Sequence, residues 1–286
     1  MRPANIVTSV ADVLAGITIS GFLSDKDLTY LPAWPIILLC ISTIGLYGGG
    51  IVFNDVFDAS LDATERPERP IPSGLISLRE ASLLGTLLLT IGIVSAFLWH
   101  PVSGWIAVAI TVAALVYNKW GKHQNIIGPV NMGLCRGLNL LLGISILPLI
   151  VHDHYYIAFV PVVYIAAITM ISRGEVHGGG KSILYFAGVL YLMVISIILL
   201  LAFQQGHVIL TSIFLLAFAW MILKPLLVAI KEPIGKNIGK AVKAGVISLI
   251  LMDAAWAAAF GAWYFALVIL LLLPLSLYFS KLFAVT

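Results

Sequence analysis

Apolar runs of about twenty residues recur from one end of this chain to the other, and that pattern decides what it can fold into. A helix needs roughly 20 such residues to cross the ~30 Å hydrocarbon layer of a bilayer. The sequence is 61% hydrophobic and only 10% charged over 286 residues, with a mean hydropathy of +1.07. A soluble domain of that length needs far more polar surface. The chain therefore reads as an all-α, polytopic transmembrane helical bundle of nine to ten spans. No linker or low-complexity tract interrupts it, so residues 1–286 are expected to form a single domain.

Spans are read at about 4–24, 31–53, 78–99, 101–119, 126–149, 155–172, 182–203, 207–229, 238–257 and 261–281. The total is nine or ten according to whether the last two runs cross separately. The first run holds Asp12 and no small-residue cleavage site, which marks a retained helix rather than a signal peptide. Cys40 and Cys135 both fall inside spans and suggest no disulfide framework.

Charge placement sets the expected orientation. With the N-terminus in the cytoplasm, Arg2, Arg66, Arg69, Arg79, Lys119, Lys122, Arg173, Lys181, Lys224, Lys231, Lys236, Lys240, Lys243 and Lys281 all fall inside, and only Lys26 falls outside. The tryptophans mostly lie near span ends, as an aromatic belt requires. Two polar stretches share the inner side: Asn54–Gly74 after the second span and Ser172–Lys181 after the sixth. Their four-span separation suggests a weak internal repeat around one cavity.

The first stretch reads NDVFDASLDATERPERPIPSG. If the helix continues past the membrane surface, Asp62 lies about 20° from Asp55, Asp58 about 60°, Glu65 about 80° and Asn54 about 100°. Oxygen-bearing side chains so close call for a cation on that face. Hard oxygen donors favour Mg2+, which takes a few carboxylates and completes its shell with water and phosphate. Arg66 and Arg69 follow one turn on, as guanidinium forks suited to phosphate. Pro67 and Pro70 stop the helix, Pro72-Ser73-Gly74 turns the chain, and Ser77 with Glu80 reads as a capping box. Metal-binding carboxylates followed by anion-binding arginines suit a metal-diphosphate ligand, although such a cluster is also what a solvated helix end of mixed charge looks like.

This stretch resembles the first acidic signature of the UbiA superfamily of intramembrane prenyltransferases, in its NDxxDxxxD and RPxRPIPSG elements. The resemblance implies an all-helical bundle around a cavity open to cytoplasm and lipid. It implies transfer of a prenyl group from a polyprenyl diphosphate to a lipid-soluble or amphipathic acceptor, assisted by Mg2+. Carried over, it makes Asn54, Asp58 and Asp62 metal-side residues, with Asp55 on the same face. The expected location is a bacterial cytoplasmic membrane with the site facing the cytoplasm.

Other candidates surround this core. Tyr117 and Lys119, in LVYNKWGKH, resemble a family tyrosine and lysine; a lysine there suits the leaving diphosphate, while an interfacial Tyr-Lys pair is equally ordinary. Arg136 is a charge within a span and is expected to face a wet cavity or a partner. With Asn139 it would point into the cavity, near diphosphate or against a carboxylate; Asp12 and Asp253 are the intramembrane candidates for a structural ion pair.

The second stretch departs from the family. Where relatives resemble DxEGD, this chain reads Arg173-Gly174-Glu175-Val176-His177. Glu175 alone is a candidate catalytic and metal-binding carboxylate. Arg173 and Lys181 would instead replace a second metal as fixed cations. A third reading keeps prenyl-lipid binding and loses catalysis, giving a non-catalytic polyprenyl-phosphate carrier. His177 reads as a general base or as a surface histidine without a role. The stretch SRGEVHGG also resembles the divergent UbiA-like EboC group.

Overall fold

The computed structural model describes residues 3–23, 32–175 and 178–283; Arg2, Lys26 and His177 lie outside them. Among the described residues nine helices are long and apolar enough to cross a bilayer, and a tenth apolar helix, α1 (Pro3–Ile19), is shorter. The chain continues through α2 (Trp34–Phe57), α3 (Ala59–Glu65), α4 (Leu78–Trp99), α5 (Pro101–Lys119) and α6 (Ile127–Ile144). The short turn α7 (Val151–His154) and the helix α8 (Phe159–Ser172) belong to one span that starts at Pro148. Then come α9 (Lys181–Gln204), α10 (Val208–Lys231), α11 (Gly235–Ala259), α12 (Trp263–Leu270) and α13 (Leu272–Leu282). The fold is the expected all-α bundle.

Two expectations shift, and one point that the sequence left open is resolved. The fifth span ends at Ile144 and the sixth begins at Pro148, so the turn between them comes earlier than hydropathy suggested. The last two apolar runs are separate helices, divided at Gly261, whose φ of +81° reverses the chain. Trp256 lies in the core with no exposure and belongs to no interfacial belt, unlike exposed Trp34, Trp105, Trp120, Trp220 and Trp263.

Two helices form the inner pillars. α1 is buried along almost its whole length between α2, α6, α11 and α13. α11 is buried nearly end to end from Ile247 to Ala259. Around them, α4, α5, α9 and α10 turn Leu83, Leu87, Trp105, Leu192, Leu200, Leu216 and Trp220 outward. In water such a girdle would be an aggregation surface; in lipid it is the solvated face. The protein is an integral, multi-pass membrane protein.

Glycine sets the closest approach. A Cβ on Gly143 would lie 2.2 Å from the Val13 carbonyl oxygen, and one on Gly16 would lie 2.3 Å from that of Leu140. α1 and α6 therefore touch backbone to backbone, which is the packing that small residues permit in membranes. That contact brings Asp12 against Arg136.

Candidate active site

The acidic stretch begins where α2 ends. The helix does not continue straight through it: Asp58 caps α2 and opens α3, its N–H bonded to the carbonyls of Asn54 and Val56. This break replaces the uninterrupted arc expected from the sequence. Glu65 is left exposed, while Asp62 turns inward and is buried. Asn54 Nδ2 donates to Asp58 Oδ2 at 3.2 Å. α3 stops at Glu65, ahead of Pro67. Gly74, at φ +77°, completes the turn, and Ser77 and Glu80 form the expected reciprocal cap on α4 at 2.8 and 3.2 Å.

The cations on this face belong to the protein. Arg69 Nη1 donates to Asp62 Oδ2 at 2.6 Å and lies 3.6 Å from Asp55 Oδ1. Lys122 Nζ pairs with Asp58 Oδ1. Arg69, assigned from the sequence to phosphate, thus bridges two carboxylates, whereas exposed Arg66 makes no side-chain hydrogen bond or ion pair with any described residue. Lys119 stacks its ammonium over the Trp120 ring at 4.6 Å. Lys122 was missed as a site residue. Its only sequence signal was a second lysine one turn beyond Lys119, and its partner lies 64 residues away.

Beneath Asn54 and Asp55 a cavity of about 150 Å³ descends between α2, α5 and α6, with Asn5 of α1 at its side. Tyr117 and Asn118 of α5 stand at the same mouth, and Asn118 Nδ2 is fixed on the Gly50 carbonyl at 2.8 Å. The walls include Leu46, Ile51, Ile110, Ala114 and Met132. Thr43, Tyr47, Arg136 and Asn139 form the far end; Thr43 lies eleven residues before Asn54, about 16 Å along the helix.

Arg136 is held there by protein. It donates to Asp12 Oδ2 and Thr8 Oγ1, both at 2.5 Å, and packs its guanidinium 4.8 Å from the Tyr47 ring centroid. Asn139 donates to the Ser9 carbonyl at 2.8 Å and to Asp12 at 3.0 Å, and accepts from Thr43 at 2.7 Å. Of the two alternatives for Arg136, the structure shows a carboxylate partner, Asp12, at the floor of the cavity.

The second polar stretch reaches the same end of the bundle. Arg173 donates to Asn125 Oδ1 and the Gln124 carbonyl, tying the α8–α9 link to the α5–α6 link that carries Lys122. Gly179 N–H bonds the Pro233 carbonyl at 3.3 Å, joining the α10–α11 link. Glu175 is half-buried in this loop, and Lys181 is exposed at the first turn of α9. Among the described residues no three His, Cys, Asp or Glu side chains gather as a ready metal cluster. The oxygens of Asn54, Asp55, Asp58 and Asp62 nonetheless have the hard-donor chemistry of Mg2+, and the Lys122 ammonium and Arg69 guanidinium occupy the positions of a cation beside them.

The UbiA prenyltransferase family model matches residues 13–233. The chain belongs to the UbiA prenyltransferase family. A UbiA homologue from Aeropyrum pernix K1, in its apo form, superposes with a TM-score of 0.72 at 16% identity, covering 89% of this chain and 98% of that one. A solved structure of digeranylgeranylglyceryl phosphate synthase gives a TM-score of 0.65 at 23% identity, covering 91% and 95%. At those identities the likeness is one of fold. The digeranylgeranylglyceryl phosphate synthase of Methanosarcina barkeri is 32% identical over 115 residues, 40% of this chain and 40% of its own length. That of Methanothrix thermoacetophila is 33% identical over 50% of this chain and 51% of its own. This UbiA chain thus spans about half the length, or less, of these relatives. The Methanobrevibacter smithii enzyme of the same name matches over 70% of this chain and 72% of its own, at 28% identity.

Proposed function

We propose that this protein transfers a prenyl group from a polyprenyl diphosphate to a lipid-soluble or amphipathic acceptor inside the membrane. The observation that carries the reading is the cavity: it runs from Asn54 and Asp55, beside the carboxylate–cation cluster, down between α2, α5 and α6. A diphosphate belongs at the charged mouth and the reacting carbon inside, away from water.

Asn54, Asp55, Asp58 and Asp62 are the residues that would hold Mg2+, with Glu175 a further candidate from the second loop. Bound there, Mg2+ would neutralise the diphosphate and make it a better leaving group. The chain's own cations share that task. Arg66 is free to fork onto phosphate oxygens, and Lys119 and Lys181 are exposed nearby in sequence to the same links. Lys122 and Arg69 would turn from carboxylate to phosphate as the ligand enters, and the carboxylates they release would then be compensated by the metal. Tyr117 and the Ile110, Ala114 and Met132 wall shield the allylic cation from water until the acceptor captures it. Arg173 organises the loop that carries Lys122, and Asn139 with Arg136 shapes the floor.

A non-catalytic carrier of polyprenyl phosphates is the second reading, favoured by carboxylates already neutralised by Arg69 and Lys122. Reconstituted protein given radiolabelled geranylgeranyl diphosphate and a panel of acceptors separates the two. Mg2+-dependent pyrophosphate release, lost in Asp58→Asn, is the expected result. Saturable diphosphate binding without turnover on any acceptor would instead establish the carrier.

A further inference from the structure

Three charged side chains meet in the interior, from three different helices: Asp12 of α1, Arg136 of α6 and Asp253 of α11, each no more than 2% exposed. Arg136 and Asn139 both donate to Oδ2 of Asp12. Oδ1 of Asp12 and Oδ2 of Asp253 are buried and receive no donor from any described residue. Yet the two side chains lie within hydrogen-bonding reach of one another. Two ionised carboxylates would repel at that separation and leave the set with a net negative charge in hydrocarbon. One proton between them removes both problems: it is the missing donor, and it brings one guanidinium and two carboxyl groups to zero.

Among the described residues no cation other than Arg136 adjoins the two aspartates. Tyr47 of α2 lies against Arg136, and Tyr164 of α8 faces Asp253, but the Tyr164 hydroxyl is engaged by the Gly245 carbonyl and Ser248 Oγ, both at 2.8 Å. Asp12 has two direct donors, one of them charged, and suits the anion. Asp253 has none among the described residues and suits the acid.

We propose that Asp12 and Asp253 form a proton-binding site, a carboxylate and a carboxylic acid sharing one proton, which joins α1 to α11 and positions Arg136 at the cavity floor without net charge. A neutral floor keeps the anionic diphosphate at the mouth and lets an apolar chain rest at the inner end. Both aspartates are positioning residues, acting through Arg136.

Infrared spectroscopy of protein in lipid vesicles, with its aspartate carboxyl carbons isotopically labelled, tests this directly. The native chain is expected to show a protonated aspartic-acid carbonyl band at about pH 7, where an aspartate in water is ionised. Asp253→Asn removes that band and, because its amide donates where the acid O–H did, keeps the melting temperature within about 2 °C. Asp12→Asn strands Arg136 and lowers it by roughly 5 °C or more, or prevents folding. A native chain with no such band, a band that survives Asp253→Asn, or equal damage from both substitutions would overturn the site. Stabilisation by Na+ in the native chain that Asp253→Asn abolishes would also overturn it, making a metal ion the occupant.

Discussion

At the level of single side chains, the mouth of the cavity is a balanced set of charges, and Lys122 is the member whose removal is most informative. Its ammonium is the cation on Asp58, whose other neighbour is the Asn54 amide. A charge-assisted contact contributes about 1.5–3 kcal/mol, so Lys122→Met should slow pyrophosphate release by roughly 10- to 100-fold. Because the pair is partly solvated, the melting temperature should move little. Initial rates across donor concentrations would check it; unchanged kcat/KM would mean that Lys122 only pins the α5–α6 link. Asn139 makes the opposite case. Buried and bonded to Thr43, the Ser9 carbonyl and Asp12, it serves the packing of three helices. Asn139→Leu should cost about 2–4 kcal/mol of stability by leaving those groups unpaired, read as a fall in melting temperature in detergent. Such residues differ in how far the sequence reveals them. The Ser77–Glu80 cap was legible because both partners lie within one turn. Lys122 was not, since pairing over 64 residues depends on how helices pack. The Arg136 partner could be narrowed to two aspartates by charge alone, but only packing chose Asp12.

Between elements, two contacts control the site. α1 meets α6 where Gly16 and Gly143 face each other's backbone. Gly143→Val would force a side chain into the Val13 carbonyl and separate the helices that hold Asp12 and Arg136. Overpacking of this kind costs about 1–3 kcal/mol, more where the obstruction is backbone. The variant should melt earlier and lose the Arg136–Asp12 pair together, whereas a glycine replaced in open space, such as Gly239, should leave both intact. The second contact is the Arg173 clasp onto Gln124 and Asn125. Arg173→Ala should raise amide exchange across residues 121–126 and lower turnover through Lys122; unchanged exchange there would leave the clasp without a role. Helix existence was legible from the apolar period, as was the proline stop after α3. The break at Asp58 was not, because neither proline nor glycine marks it and its cause is the local bonding of Asn54, Val56 and Asp58.

For the molecule as a whole, the links after α2, α5, α8 and α10 gather at one end, joined by Lys122–Asp58, Arg173–Gln124 and Gly179–Pro233. That end carries Arg66, Arg69, Lys122, Arg173 and Lys181, while the opposite links around residues 145–158 carry His152, Asp153 and His154. The hydropathy pattern alone predicted which links share an end, because each crossing reverses the chain. Which end faces the cytoplasm follows only from the bias of lysine and arginine toward that side. On that bias we propose that the charged mouth faces the cytoplasm, the side on which the donor's diphosphate and Mg2+ would meet it. Single cysteines test it once Cys40 and Cys135 are replaced by alanine. In intact cells a membrane-impermeant maleimide should label His152→Cys and spare Ser73→Cys; after lysis both should react. Labelling of Ser73→Cys before lysis would turn the mouth outward, and a donor made in the cytoplasm would then have to cross the membrane before it could react.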